Sequence, residues 1–224
     1  MSRPGGVAFF DVDETLLSVR TLESFLFYYL RLVPTMISPE RLRELAAQVV
    51  VLDRSEFNRR YYGIWAGQDA EQVREAGRSW FADAARQPGF YRSNVLERLR
   101  EHQRAGDRIV LVSGSFEPPL APLADALDAD ALYCTQLETD DGVYTGAIST
   151  PMIGDDKERV VEAYLPGAET GTVSWGYGDH SSDLPLLRRV TNPVVVGSDP
   201  VMLDIAAERG WPVLPIDEPL APRA

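Results

Sequence analysis

Cysteine is almost missing from this sequence. Cys134 is the only one among 224 residues, so neither an intramolecular disulfide nor a cysteine-built zinc site can form. Positive charge is also scarce, with 22 Lys and Arg against 34 Asp and Glu and a net charge of -12. That balance argues against nucleic acid and anionic membrane surfaces as partners. It also means that an anionic ligand must be met by a bound metal or by a few well-placed cations. Long apolar runs are absent too: no segment approaches the roughly 18 residues needed to cross a bilayer. Met1–Gly6 lacks the apolar stretch of a signal peptide, and a cytoplasmic location is expected. The remaining composition, 45% apolar and 25% charged, suits a compact fold with one core and room for a smaller inserted unit.

What is present is a repeated design. The apolar run Gly6-Val7-Ala8-Phe9-Phe10 stops abruptly at Asp11-Val12-Asp13-Glu14, as a buried parallel strand does at a polar sheet edge. Arg108–Val112 runs likewise into Ser113-Gly114-Ser115, Thr172–Tyr177 into Gly178-Asp179, and Pro193–Val196 into Gly197-Ser198-Asp199. Helical patterns at about 92–105, 116–127, 156–164 and 183–189 lie between these strands. The alternation predicts an α/β fold, a doubly wound parallel sheet of the Rossmann-like kind. Ligands of such sheets bind beyond the carboxyl ends of the strands, the edge to which Asp11, Asp13, Ser113 and Asp179 are delivered.

Residues 18–88 break the alternation. Leu22, Phe25, Leu26, Tyr29 and Leu30 recur at helical spacing, and Pro34, Pro39 and Gly67 punctuate four helical segments. This stretch is expected to be an inserted helical cap domain, with 1–17 and 89–224 forming the catalytic core. A second interruption at about 131–149 carries Asp140-Asp141-Gly142, a hairpin signal, and Asp217–Ala224 reads as a frayed tail.

Two carboxylates crowded at one strand end repel each other unless a cation lies between them, and magnesium is a natural oxygen-ligand choice. Taken alone, Asp11-Val12-Asp13-Glu14-Thr15 reads equally as an acidic loop or a helix cap. Lys157 alone reads as a solvated lysine, Ser113 as a helix N-cap and Asp179 as a turn residue. Their order along the chain is more telling. Asp11-x-Asp13-x-Thr15, Ser113 after an apolar strand, Lys157, and Gly178-Asp179-x-x-x-Asp183 together resemble the four strand-end motifs of haloacid dehalogenase superfamily phosphatases. Within that superfamily the chain resembles subfamily IB, the subgroup similar to phosphoserine phosphatase.

The resemblance implies magnesium-dependent hydrolysis of a small phosphorylated metabolite through an aspartyl-phosphate. Asp11 would be the nucleophile, since a carboxylate is ionised at neutral pH and needs no activating base. Asp13 would be the general acid and base, with a raised pKa beside another carboxylate. Ser113, the Gly114 N–H and Lys157 would bind the phosphoryl oxygens, with Ser182 a further substrate contact. Asp11, the Asp13 backbone carbonyl and Asp179 would hold Mg2+, and Asp183 would orient Lys157 from behind.

Three departures from that pattern bear on the substrate. Arg20 stands where phosphoserine phosphatases carry a glutamate for the substrate ammonium, so an anionic or hydroxyl-rich leaving group is expected there, unless Arg20 is a solvated residue paired with Glu23. Arg59 and Arg60 fall near a carboxylate-binding position, yet a surface helix with two arginines explains them equally. His180 reads as a substrate contact or an ordinary loop residue. Phosphoserine phosphatase proper and a phosphotransferase or mutase using the same aspartate are the alternative activities. A catalytically silent binding protein fits less well, because every chemical position holds a competent residue.

Overall fold

The computed structural model describes residues 5–48, 51–52, 54–165 and 172–216; the C-terminal tail 217–224 lies outside them. Val7–Phe10 (β1) is the central strand of a seven-stranded sheet. It pairs in parallel with Arg108–Phe116 (β2) on one side and Ser174–Gly178 (β5) on the other. Ala131–Asp140 (β3) extends the sheet in parallel beyond β2, and Val143–Thr150 (β4) closes that edge antiparallel to β3. Asn192–Val196 (β6) and Val213–Leu214 (β7) continue it in parallel past β5.

Both faces of the sheet are covered, and the alternation of side chains along a strand shows how. Ala8 and Phe10 of β1, with Ile109 and Leu111 of β2, enter one apolar cluster. Val7, Phe9, Val110 and Val112 enter a second, separate one. The first is completed by Val95 and Leu99 of Ser93–Ala105 (α5) and by Leu120 and Leu123 of Glu117–Ala126 (α6). The second takes Val160 of Asp155–Tyr164 (α7), Leu186 of Leu184–Leu187 (α8) and Met202 of Pro200–Arg209 (α9). Successive residues of a strand point to opposite faces, so one apolar run supplies both halves of the core and a doubly wound sheet results.

Four further helices lie between β1 and α5. They are Thr21–Leu32 (α1), Pro39–Gln48 (α2), Arg54–Gly63 (α3) and Ala70–Ala84 (α4), which matches the four expected segments. The chain enters and leaves this region side by side: Leu17 bridges Tyr91, and the Ser18 and Arg92 N–H groups donate to Phe90 and Leu16. Aromatic packing holds the helices against the sheet. Trp65 lies 5.5 Å from Phe25 in a stack and 5.0 Å from Phe116 at the end of β2. Gly77 of α4 is a close-approach glycine, because a Cβ there would come within 2.1 Å of the Pro118 carbonyl oxygen on α6.

Some boundaries differ from expectation. β2 continues past Val112 to Phe116, with a register shift between Ser113 and Phe116, so Ser113-Gly114-Ser115 is an irregular strand end rather than a loop. The hairpin around Asp141-Gly142 is present, and its first strand belongs to the parallel sheet. α9 and β7 were not expected; β7 has only two residues, too few to show a period.

Candidate functional site

β1 delivers Asp11 to the sheet edge, and its position is fixed by backbone pairing: its N–H donates to the Tyr177 carbonyl at 2.9 Å. The Asp11 side chain is nearly closed off from solvent, at 6% exposure for the residue. Lys157, 2% exposed, reaches it from the first turn of α7. Its Nζ donates to Asp11 Oδ1 at 2.5 Å and to Asp183 Oδ1 at 2.6 Å. Asp183 ends the short turn Ser181–Asp183 after β5, and its other oxygen accepts the His180 N–H at 3.1 Å. Asp179 lies just past the end of β5 and accepts the Thr15 hydroxyl at 2.8 Å. Three separate parts of the sequence, at 11, 157 and 179–183, thus meet at one edge.

Three of them form an acidic group. Asp11, Asp179 and Asp183 each offer an oxygen, and these oxygens lie within 4.8 Å of one another. The electrostatic cost appears in their titration. Burial, reinforced by Asp183 and Asp179 and opposed by Lys157, pushes the Asp11 carboxyl well above its ordinary range. Burial first and Asp183 second push Asp179 up to about 6, against the hydrogen bond from Thr15. For Lys157, burial alone would lower the pKa, but Asp11 and Asp183 outweigh it and hold the ammonium above its ordinary value. A single ammonium does not balance three carboxylates. Their all-oxygen donor set suits a hard divalent cation such as Mg2+, which would favour the ionised acids.

Ser113 is buried, and its Oγ accepts the Ser115 N–H at 3.0 Å. The Gly114 carbonyl is held by two hydroxyls, Tyr62 at 2.7 Å and Thr135 at 2.9 Å. This fixes the Gly114–Ser115 peptide. Asp13 sits in the turn Val12–Leu16, and its Oδ1 accepts the Thr21 N–H at the start of α1, at 2.8 Å. The carboxylate is thereby tied to the first inserted helix.

The ion-pair partner of Arg20 differs from the one expected. Its Nε donates to Glu14 Oε2 at 2.6 Å, and the Arg20 side chain is 59% exposed. The partner is therefore Glu14, not Glu23. The reason lies in the backbone: Glu14 has φ 60° and ψ -3°, a left-handed conformation that costs a non-glycine residue ~1–2 kcal/mol. Arg92 Nε donates to its carbonyl at 2.7 Å, so two arginines secure the turn that carries Asp13. Arg60 is paired along α3 with Glu56 at 2.7 Å. Arg59 is exposed on the rim of a cavity that also borders His180 and Ser182. His180 Nδ1 lies 3.1 Å from both the Ser182 hydroxyl and its N–H, so these two residues shape the loop between Asp179 and Asp183.

Asn58 escaped the sequence reading. It is buried on α3 and lines cavities on both sides of the loop at 180–182. Only its unusual burial for an amide marks it, and burial is not visible along the chain. Thr15 could have been singled out, since the strand-end pattern contains it, but its role as the clamp on Asp179 emerges only in three dimensions.

Comparison with known proteins fits this geometry. A model of the haloacid dehalogenase-like hydrolase family matches residues 8–188, and the chain belongs to that family of hydrolases. It is 29% identical over 231 residues to the inhibition of morphological differentiation protein of Streptomyces azureus, covering 98% of this chain and 81% of that one. Over 124 residues it is 38% identical to a histidinol-phosphatase of Neisseria meningitidis, covering 52% of this chain and 55% of that enzyme. A phosphoserine phosphatase captured as a phospho-aspartyl intermediate analogue shares the fold with a TM-score of 0.68 at 15% identity, covering 97% of this chain and 95% of that one. No helix among the described residues is long and apolar enough to cross a membrane.

Proposed function

We propose that the protein is a Mg2+-dependent phosphatase that hydrolyses a small phosphorylated metabolite through a phosphoryl group carried on Asp11. The observation that carries this reading is the buried Lys157, which joins Asp11 to Asp183. The family membership and the relative named a histidinol-phosphatase support it. Residues 18–88 are read as a cap over the site, with the core formed by the segments on either side.

In the first step an Asp11 oxygen attacks phosphorus. A P–O bond forms to Asp11 as the bond to the ester oxygen breaks, and Asp13 gives its proton to the departing alkoxide. In the second step Asp13 takes a proton from a water whose oxygen attacks the same phosphorus. The bond to Asp11 then breaks, and inorganic phosphate leaves. An ammonium has three donors; two are engaged by Asp11 and Asp183, which leaves one for a phosphoryl oxygen. The Ser113 hydroxyl and the Gly114 N–H are read as the other donors. Asp11, the Asp13 carbonyl and Asp179 would hold Mg2+, which when bound neutralises negative charge on the phosphoryl group.

The test is phosphate release from an aryl phosphate with and without Mg2+. Asp11→Asn should lower the Mg2+-dependent rate by roughly a thousandfold or more, because it removes the atom that forms the new bond. An Asp11→Asn protein with undiminished activity would overturn the proposal.

A further inference from the structure

A cavity of about 790 Å3 opens directly from the acidic edge, with Asp13 and Asp179 at one end and α1, α2 and α3 around the rest. A volume of this order takes a drug-sized ligand. Its walls are chiefly apolar, with Leu26, Phe27, Leu42, Leu45 and Phe57 facing it. Where polar atoms occur, most are already paired within the protein. The Tyr61 hydroxyl donates to the Leu22 carbonyl at 2.7 Å, so Tyr61 presents its ring. Arg20, the cationic side chain on this wall, is held by Glu14, and Glu23 adds a further negative charge. The arrangement does not suit an anionic leaving group. Phe27 on α1 is 51% exposed at this cavity, a large aromatic surface left without cover among the described residues.

On the basis of the phosphatase reading, we infer that this cavity receives the leaving group, and that the substrate is the phosphomonoester of an extended, uncharged apolar alcohol. Continuity with Asp13 places the cavity where the departing oxygen would receive its proton. An apolar chain there would displace water from leucine and phenylalanine side chains, and the gain would grow with each methylene. A phosphorylated amino acid would have to place its carboxylate beside Glu14 and Glu23, with Arg20 already engaged.

The experiment has two arms. In the first, Mg2+-dependent phosphate release is measured for n-alkyl phosphates from ethyl to octyl, and for phosphoserine. The kcat/KM should rise about fourfold per added methylene until the chain fills the cavity, and phosphoserine should fall below hexyl phosphate. In the second, n-alkylphosphonates, whose C–P bond resists hydrolysis, are titrated against the protein in the presence of Mg2+. Octylphosphonate should bind at least thirtyfold more tightly than ethylphosphonate. Phe27→Ser, at a half-exposed position, and Ala46→Trp, which adds bulk at an exposed cavity position, should flatten both series.

Good turnover of esters with no dependence on chain length, or with phosphoserine preferred and its turnover lost in Arg59→Ala, would overturn the inference and leave the phosphatase reading intact. If no ester is hydrolysed, the phosphatase reading fails. The phosphonate series then decides the cavity's role separately: chain-length-dependent binding that Ala46→Trp abolishes supports it, and uniform or absent binding overturns it.

Discussion

The sheet edge and the cavity above it sit side by side and are built on opposite plans. At the edge, Asp11, Lys157 and Asp183 are buried and joined by short ion-pair hydrogen bonds, and each is fixed by the strand or turn that carries it. In the cavity, leucine and phenylalanine side chains leave a wide space, and the nearby charges pair at the partly exposed Arg20–Glu14 contact. A group that forms and breaks bonds needs exact placement in a low-dielectric setting, where each charge acts strongly. A surface that accepts a leaving group needs only shape and polarity. On the proposed reading the chemistry is concentrated in a few residues and the specificity is spread over many.

The largest expected effect comes from the edge. Lys157→Met leaves Asp11 and Asp183 buried without their ammonium, and breaking a buried pair in this way costs about 3–5 kcal/mol. Urea unfolding of the metal-free protein should show a loss of that size, and aryl phosphate turnover should fall at least ~100-fold with the oxyanion donor gone. A Lys157→Met protein as stable and active as the parent would mean that the three buried charges are not coupled.

A second effect follows from Asp179, whose pKa is raised from 3.8 to about 6. An acid with a raised folded-state pKa binds its proton more tightly folded than unfolded, so stability is fully present below pH 3.8 and is lost as pH rises towards 6. The metal-free protein should lose on the order of 3 kcal/mol through this group across that window. Asp179→Asn should flatten the profile, and Mg2+ should restore stability at pH 7 in the parent protein but less so in the variant. Thermal melts at pH 4.5, 5.5 and 6.5 check the sign; a parent profile that rises over this window once Asp179→Asn is subtracted would contradict it.

The inserted helices give the next effect. Gly77→Ala places a methyl group 2.1 Å from the Pro118 carbonyl oxygen, and overpacking of this kind costs about 1–3 kcal/mol. The loss should appear in the melting temperature, with the KM for ethyl phosphate unchanged if the edge is independent of how α4 seats. Arg20→Ala should do least. It removes a partly exposed ion pair, worth under ~1 kcal/mol, and should reduce turnover of anionic and neutral esters alike. A selective loss on anionic esters would restore Arg20 as a recognition residue.

The same contrast explains what could be read from the sequence. Asp11 and Asp179 were legible because each follows an apolar strand that ends abruptly, and strand ends of a parallel sheet share one edge. Lys157 and Asp183 carried little signal alone and gained it from their order along the chain. The pairing of Arg20 with Glu14 was not legible: a separation of six residues matches no helical or strand spacing, and the contact exists because Glu14 adopts a left-handed backbone. Asn58 lies in α3, among Phe57, Arg59, Arg60 and Tyr61, where apolar and charged residues mix too closely for a buried face to stand out. The irregular end of β2 was missed for a related reason, since Ser113-Gly114-Ser115 has a turn's composition although it is held in the sheet.

The central claim is that Asp11 accepts the phosphoryl group. It is tested most directly by mixing the protein and Mg2+ with an aryl phosphate labelled at phosphorus, quenching in acid within milliseconds, and locating the label by peptide mass spectrometry. The account predicts a phosphoryl group on the peptide containing Asp11, which hydroxylamine releases and Asp11→Asn abolishes. Turnover that proceeds with no labelled protein, or with the label on another residue and undiminished in Asp11→Asn, would contradict it.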